Sequence, residues 1–223
     1  MNDTDRRKTL GKLLAASTLG FTGIGGMISR SLAAGSAPLR PGIQQIIGRV
    51  TVNGKVAESG MLVGPGDTVV SEANSQAIYV IGQDAFLQRA SSTVAFSGGN
   101  GVEVLRILSG KLLSVFGRGN KRIETTTAVI GIRGTGCYIE SEPRRVYFCL
   151  CYGVAELQPN ADPNHAERIE TRHHDHPVYI HHDATMPMMA DASVINHADA
   201  ELELLERLVG RQPPFGTTSR SEE

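Results

Sequence analysis

The stretch from Arg122 to Leu157 constrains the fold most, because it combines strand patterning, close-set glycines and all three cysteines. Ile123 to Thr127 is rich in β-branched residues, which fit a pleated strand better than a helix. Gly131, Gly134 and Gly136 then indicate a bend or bulge, because glycine tolerates unusual backbone angles. A strand-like segment follows these glycines. A dinucleotide-binding loop would need a helix there, so the pattern argues against a nucleotide site.

Two segments of this stretch predict an antiparallel hairpin. Cys137 to Glu140 forms one arm, and Arg145 to Cys151 forms the other. Ser141 to Arg144 between them has turn chemistry, with Pro143 suited to a turn position. The sequence therefore predicts a hairpin with its turn centred near Pro143.

The preceding region repeats the same pattern of short strands. From Val50 to Phe116, strand-like segments recur every 8–12 residues with turn signals between them, and Asn53-Gly54 is a strong hairpin signal. Aromatic residues are only 5% of the chain and tryptophan is absent, so aliphatic side chains must fill the core. We therefore predict an all-β fold, an antiparallel β-sandwich or roll of jelly-roll type, with a short C-terminal α-helix.

That helix is predicted over Ala198 to Val209. Its leucines recur at helical spacing on one stripe, Asn196 is a suitable N-cap, and Gly210 is a suitable stop. The chain is accordingly divided into a leader (1–34), a β-domain (35–158), a His/Met-rich segment (159–195), and the helix with a disordered end (196–223).

The leader has the three parts of an export signal. Arg6-Arg7 begin it, an apolar run from Leu13 to Ile28 follows, and small residues then allow cleavage after Ala33. The paired arginines and the glycine-rich, weakly apolar run resemble a twin-arginine (Tat) signal. The sequence thus predicts a periplasmic protein with no stable membrane span after signal removal. The alternative is an uncleaved signal that anchors the protein to the inner membrane.

Between Ser75 and Leu157 the chain resembles the FecR domain family. The resemblance is carried by Leu108–Val115, Ile123–Thr125, Val129–Tyr138 and Gly153–Leu157. These match that family's L-x-G-x-L-x-x-x-V strand, its E-T-P-like strand, its G-T-x-F/Y turn and its closing G-x-V strand. The resemblance implies an all-β periplasmic domain that serves signalling or binding of an envelope protein or small ligand, and that is not an enzyme.

The three cysteines leave three outcomes open. Cys149 and Cys151 lie two apart on a predicted strand, so they share a face. A turn centred near Pro143 places Cys137 opposite Cys149, which makes these two a disulfide candidate. All three could instead be buried thiols, or they could supply thiolates to a metal, with a histidine from the following segment.

Five of the seven histidines fall within ten residues, and three methionines follow closely. The candidate metal ligands are Cys137, Cys149, Cys151, His173, His174, His176, His181 and His182. Histidine with methionine suits copper, and histidine with cysteine suits zinc, copper or iron, including haem iron. The alternative is a solvated polar segment that binds nothing specific.

Charge and motifs exclude several function classes. The net charge of −1 gives no electrostatic reason to expect nucleic acid. The chain has no P-loop, no G-x-S-x-G and no H-E-x-x-H, so we predict that it is not an enzyme. Two hypotheses result: an exported FecR-like binding or sensing module of the cell envelope, or a periplasmic protein that binds a transition metal or haem through its cysteines and histidines.

Overall fold

A computed structural model describes residues 41–99, 102–183 and 185–216, and confirms the predicted all-β fold with a short C-terminal helix. The predicted leader, with Arg6 and Arg7, and the predicted disordered end lie outside the described residues. The elements are β1 (Gly42–Ile47), β2 (Val50–Val52), β3 (Lys55–Val56), β4 (Thr68–Ser71), β5 (Gln76–Ile81), β6 (Asp84–Gln88), β7 (Ser92–Gly99), β8 (Val102–Val115), β9 (Asn120–Glu124), β10 (Ala128–Ser141), β11 (Arg145–Pro159), β12 (Glu167–Thr171), β13 (Val178–His181), β14 (Met189–Asp191) and α1 (Asp199–Leu208).

These strands form one hydrogen-bonded network organised by the three long strands β8, β10 and β11. β10 pairs with β11 along its whole length, with β9 in its first half and with β8 in its second half. β8 likewise pairs first with β7 and then with β6. Because the long strands change partners, the network folds back around one large apolar core. The pairing of β8 with β9 is parallel, whereas the other pairings between described strands are antiparallel.

The predicted hairpin turn at Asn53-Gly54 and the predicted bulge at the glycine cluster are both confirmed. Asn53 and Gly54 both have positive φ, 51° and 78°, and connect β2 to β3. The glycine cluster forms a bulge within β10, where the pairing register shifts between Arg133 and Gly136 and Gly134 has a φ of 61°. β10 therefore continues through the glycines as a single strand.

A second apolar layer covers the outer face of the sheet. There α1 buries Leu202, Leu205 and Leu208 against residues of β5, β6, β8, β10 and β11. The predicted stripe and the Gly210 stop, with a φ of 72°, are confirmed. The prediction that Asn196 caps the helix is wrong, because its side-chain amide donates to Glu140 (2.7 Å) instead.

The His/Met-rich segment extends the sheet. β12 and β13 both pair with β11, and β14 pairs with β13. The loop between β12 and β13 carries three of the clustered histidines past the middle of β11, where the backbone N–H of His174 donates to Cys151. Within the described residues, no helix combines the length and the apolar character needed to cross a membrane.

Gly110, inside β8, has no room for a side chain. Its φ is 91°, and a Cβ there would lie 2.2 Å from Ser92 Oγ and 2.5 Å from Ser92 Cα. We expect Gly110→Ala to lower the free energy of unfolding by about 3 kcal/mol, measured by urea denaturation. Gly134→Ala is the matched control, because its φ is also positive but its surroundings are open, so about 1 kcal/mol is expected. Equal losses in the two variants would show that the close contact is unimportant.

Candidate metal centre

The site is built on β11, where Cys149 and Cys151 point to the outer face and are fully buried beneath the C-terminal segment. The predicted register was wrong by one residue. Tyr138 lies opposite Cys149, and Cys137 lies opposite Leu150. A shift of one residue moves a side chain to the other face of a strand, so Cys137 belongs to the interior core. All three thiols are free, and the Cys137–Cys149 pairing is not formed.

Two histidines reach these cysteines from the part of the chain after β12. The backbone N–H of His174 donates to the carbonyl of Cys151 (3.0 Å), which holds the loop against the strand. His174 Nδ1 then lies 3.4 Å from Cys149 Sγ and 3.1 Å from His197 Nε2. We call Cys149, Cys151, His174 and His197 the inner cluster. Its four donor atoms all lie within 4.8 Å of one another.

Hydrogen bonds outside the inner cluster set which nitrogen of each imidazole faces inward. His197 Nδ1 lies 2.6 Å from the carbonyl oxygen of Ile195, so Nδ1 donates there and Nε2 is the nitrogen that faces the cluster. His174 Nε2 lies 3.1 Å from Asp199 Oδ1, so Nε2 donates there and Nδ1 is the nitrogen that faces the cluster. Such outer hydrogen bonds are typical of metal-binding histidines. One nitrogen of each imidazole and the two cysteine sulfurs therefore converge on one point.

Packing holds both rings in place. The His197 ring stacks on the buried Tyr138 ring, with centroids 4.7 Å apart and an interplanar angle of 24°. The His174 ring lies against the His197 ring, with centroids 4.9 Å apart. The donor atoms are consequently positioned by the fold before any ligand arrives.

The environment gives the two cysteines opposite protonation states. A hydrogen bond from Cys151 lowers the pKa of Cys149 to about 4; burial opposes this, and hydrogen bonds from His174 and His197 add to it. Burial raises the pKa of Cys151 well above its usual value. Burial alone would lower the pKa of His174, but the Cys149 thiolate and the Asp199 carboxylate outweigh it, so that pKa is raised. One metal-binding thiolate is thus already formed at neutral pH.

Asp199 and His173 stand on the solvent side of the inner cluster. His173 Nε2 lies 3.0 Å from both Asp199 carboxylate oxygens. Burial raises the pKa of Asp199, but the hydrogen bonds from His173 and His174 outweigh burial and lower it. We call His173, His174 and Asp199 the outer trio, whose donor atoms also lie within 4.8 Å of one another.

The other predicted ligands lie elsewhere. His181 ends β13, and its backbone N–H donates to the carbonyl oxygen of Met188. The backbone N–H of His182 donates to the carbonyl oxygen of Arg144. His176 is exposed in the loop before β13. Among the described residues, these three histidines join neither the inner cluster nor the outer trio.

His197 was missed by sequence reasoning. It lies 23 residues after His174 and directly before the helix, where no ligand spacing marks it. Only the folded structure identifies His197, because the chain crosses the outer face of the sheet before the His197 ring reaches the cysteines.

Comparisons with known proteins give only a distant likeness. No family model matches the chain, and no curated protein matches it. Two crystal structures of a putative anti-sigma factor from Parabacteroides distasonis match 56% of this chain, with TM-scores of 0.48 and 0.47 and 8% sequence identity. The chain spans 58% of the length of that protein. A likeness this distant says nothing about the chemistry of the inner cluster.

Proposed function

We propose that this chain is a transition-metal-binding protein that holds one ion in the inner cluster. The observation that carries the proposal is the convergence of two buried cysteines and two oriented histidines within 4.8 Å. Two cysteines and two histidines are a donor set typical of zinc, and soft thiolates also suit copper(I). Two thiolates offset the charge of a divalent cation, which lowers the free-energy cost of burying the ion.

The distances fit a tetrahedral ion. With metal–sulfur bonds of about 2.3 Å and metal–nitrogen bonds of about 2.0 Å, tetrahedral ligands stand roughly 3.3–3.8 Å apart. The observed separations are 3.4 Å from Cys149 Sγ to His174 Nδ1 and 3.1 Å from His174 Nδ1 to His197 Nε2. Small side-chain movements suffice to admit the ion. A haem group does not fit, because the donors converge on a point inside packed side chains and a porphyrin needs a broad flat cavity.

The same groups also resemble a catalytic triad, with Cys149 as nucleophile, His174 as base and Asp199 as the orienting acid. A nucleophile must reach its substrate, and Cys149 is fully buried under the helix and its preceding segment. An ion needs far less access than an organic substrate. Burial therefore supports a binding role without catalysis, in line with the absence of the hydrolase motifs from the sequence.

Metal analysis of protein purified without an affinity tag tests the proposal. We expect about one zinc or copper ion per chain, and loss of that ion in Cys149→Ser/Cys151→Ser. Cys137→Ser is the matched control, because Cys137 is an equally buried thiol on the opposite face of the sheet, and it should retain the ion. Wild-type protein that carries no ion, and takes up none after reduction and metal addition, refutes the proposal.

A second candidate function is an exported FecR-like module for envelope sensing or binding, in which the metal is the ligand or a structural support. The export-type leader and the FecR-like segments favour it, and those segments occupy the consecutive strands β8 to β11. A reporter fused behind Ala34 should reach the periplasm, and replacement of both Arg6 and Arg7 with lysine should prevent this. A reporter that stays in the cytoplasm argues against this candidate and leaves metal binding untouched.

A further inference from the structure

The outer trio offers three donor atoms that meet beside the inner cluster. Asp199 Oδ1 lies 3.0 Å from His173 Nε2 and 3.1 Å from His174 Nε2. The His173 side chain is 47% exposed and that of Asp199 28%, whereas that of His174 is only 11% exposed. The trio thus opens to solvent on one side and shares His174 with the inner cluster on the other.

We infer that the outer trio is a second metal site, open to solvent, in which His174 bridges an outer divalent transition-metal ion to the ion of the inner cluster. This inference rests on the proposed function, because the inner ion fixes His174 Nδ1 and leaves Nε2 directed outward. Imidazole and carboxylate donors suit zinc, nickel and copper(II). Three protein ligands leave coordination positions for water, as in open metal sites.

The geometry is suited to an ion as well as to hydrogen bonds. Ligands at about 2.1 Å from one ion, with angles between 90° and 109°, stand roughly 3.0–3.4 Å apart, which includes the two measured separations. The His173 ring is also held in place, because the Phe215 ring packs on it with centroids 4.4 Å apart. Little side-chain entropy remains to be lost when an ion binds.

Proton balance predicts that the outer ion binds second and more weakly. His174 must release its Nε2 proton to solvent to coordinate through both nitrogens, and His173 must move its proton from Nε2 to Nδ1. The Asp199 carboxylate and the deprotonated His174 ring offset the charge of the outer ion. Exposure to water makes that ion readily exchangeable, in contrast to the buried inner ion.

Titration of the metal-free full chain with cobalt(II) separates the two sites. We expect sulfur-to-cobalt absorption to saturate at one equivalent, followed by a second equivalent that changes only the weaker metal-centred bands. Zinc analysis after equilibration should give two ions per wild-type chain and one per chain of His173→Gln. His176→Gln is the matched control, since it replaces an exposed histidine of the same loop outside the trio, and it should bind two.

The other outcomes refute either the outer site alone or both sites. One equivalent in wild type, with no change in His173→Gln, means that Asp199 only orients His174, and the outer site is refuted while the proposed function stands. Two equivalents in both wild type and His173→Gln place the second ion elsewhere and also refute the outer site. No bound cobalt at all refutes the inner site and the outer site together.

Discussion

Removal of the metal by a chelator is expected to lower the free energy of unfolding by about 4 kcal/mol, if free metal had exceeded its dissociation constant a thousandfold. The inner cluster joins β11 to the loop between β12 and β13 through His174, and to the segment before α1 through His197, so the ion ties both to the sheet. After metal removal, we therefore expect the rate of amide hydrogen exchange to rise most in the stretch from Ala192 to Gly216. Thermal unfolding and hydrogen exchange with and without chelator measure both effects.

The control for chelation is the Cys149→Ser/Cys151→Ser variant, whose stability should not respond to chelator. Other contacts keep the segment near the sheet without metal, among them the ion pair between Arg89 and Glu201 (2.8 Å). The increase in hydrogen exchange after metal removal should therefore be confined to this segment and should reverse when metal is added. Equal stability and equal exchange with and without metal would contradict a role for the ion in holding the segment.

Leu205→Ala is expected to lower the free energy of unfolding by about 3 kcal/mol and to weaken metal binding as well. Leu205 is fully buried between α1 and the outer face of the sheet. The helix follows His197 and begins with Asp199, so undocking the helix withdraws one ligand and the carboxylate that orients another. Affinity falls in proportion to the fraction of chains whose helix is docked. Urea denaturation and competitive metal titration measure the two effects.

Leu62→Ala is the control for Leu205→Ala, because Leu62 is 70% exposed and lies outside the helix contact. Its expected loss is below about 0.5 kcal/mol, with no change in metal affinity. A Leu205→Ala protein that is destabilised but binds metal with wild-type affinity would show that helix docking and the metal centre are independent.

The strands could be predicted because their signals are local. Asn53-Gly54 adopts positive φ angles, and the glycines of β10 produce a bulge, as their chemistry indicates. The C-terminal helix followed from the spacing of its leucines. Asn196 does not cap the helix, because its side-chain amide donates to Glu140, which is distant in sequence.

Three of the four residues of the inner cluster could be predicted from the sequence. Cys149 and Cys151 share a face because strand side chains alternate, and His174 came from the histidine-rich segment. Cys137 was misplaced because the prediction centred the turn on Pro143, whereas the observed pairing of Ser141 with Val146 centres it half a residue later. His197 depended on how the chain crosses the outer face, which no local pattern records.

We propose that one metal ion binds to Cys149, Cys151, His174 and His197 together. X-ray absorption spectroscopy at the metal edge of the untagged protein, loaded with one equivalent of zinc, tests it most directly. We expect two sulfur ligands at about 2.3 Å from the zinc ion and two imidazole nitrogens at about 2.0 Å. A coordination shell of nitrogen and oxygen alone would contradict it.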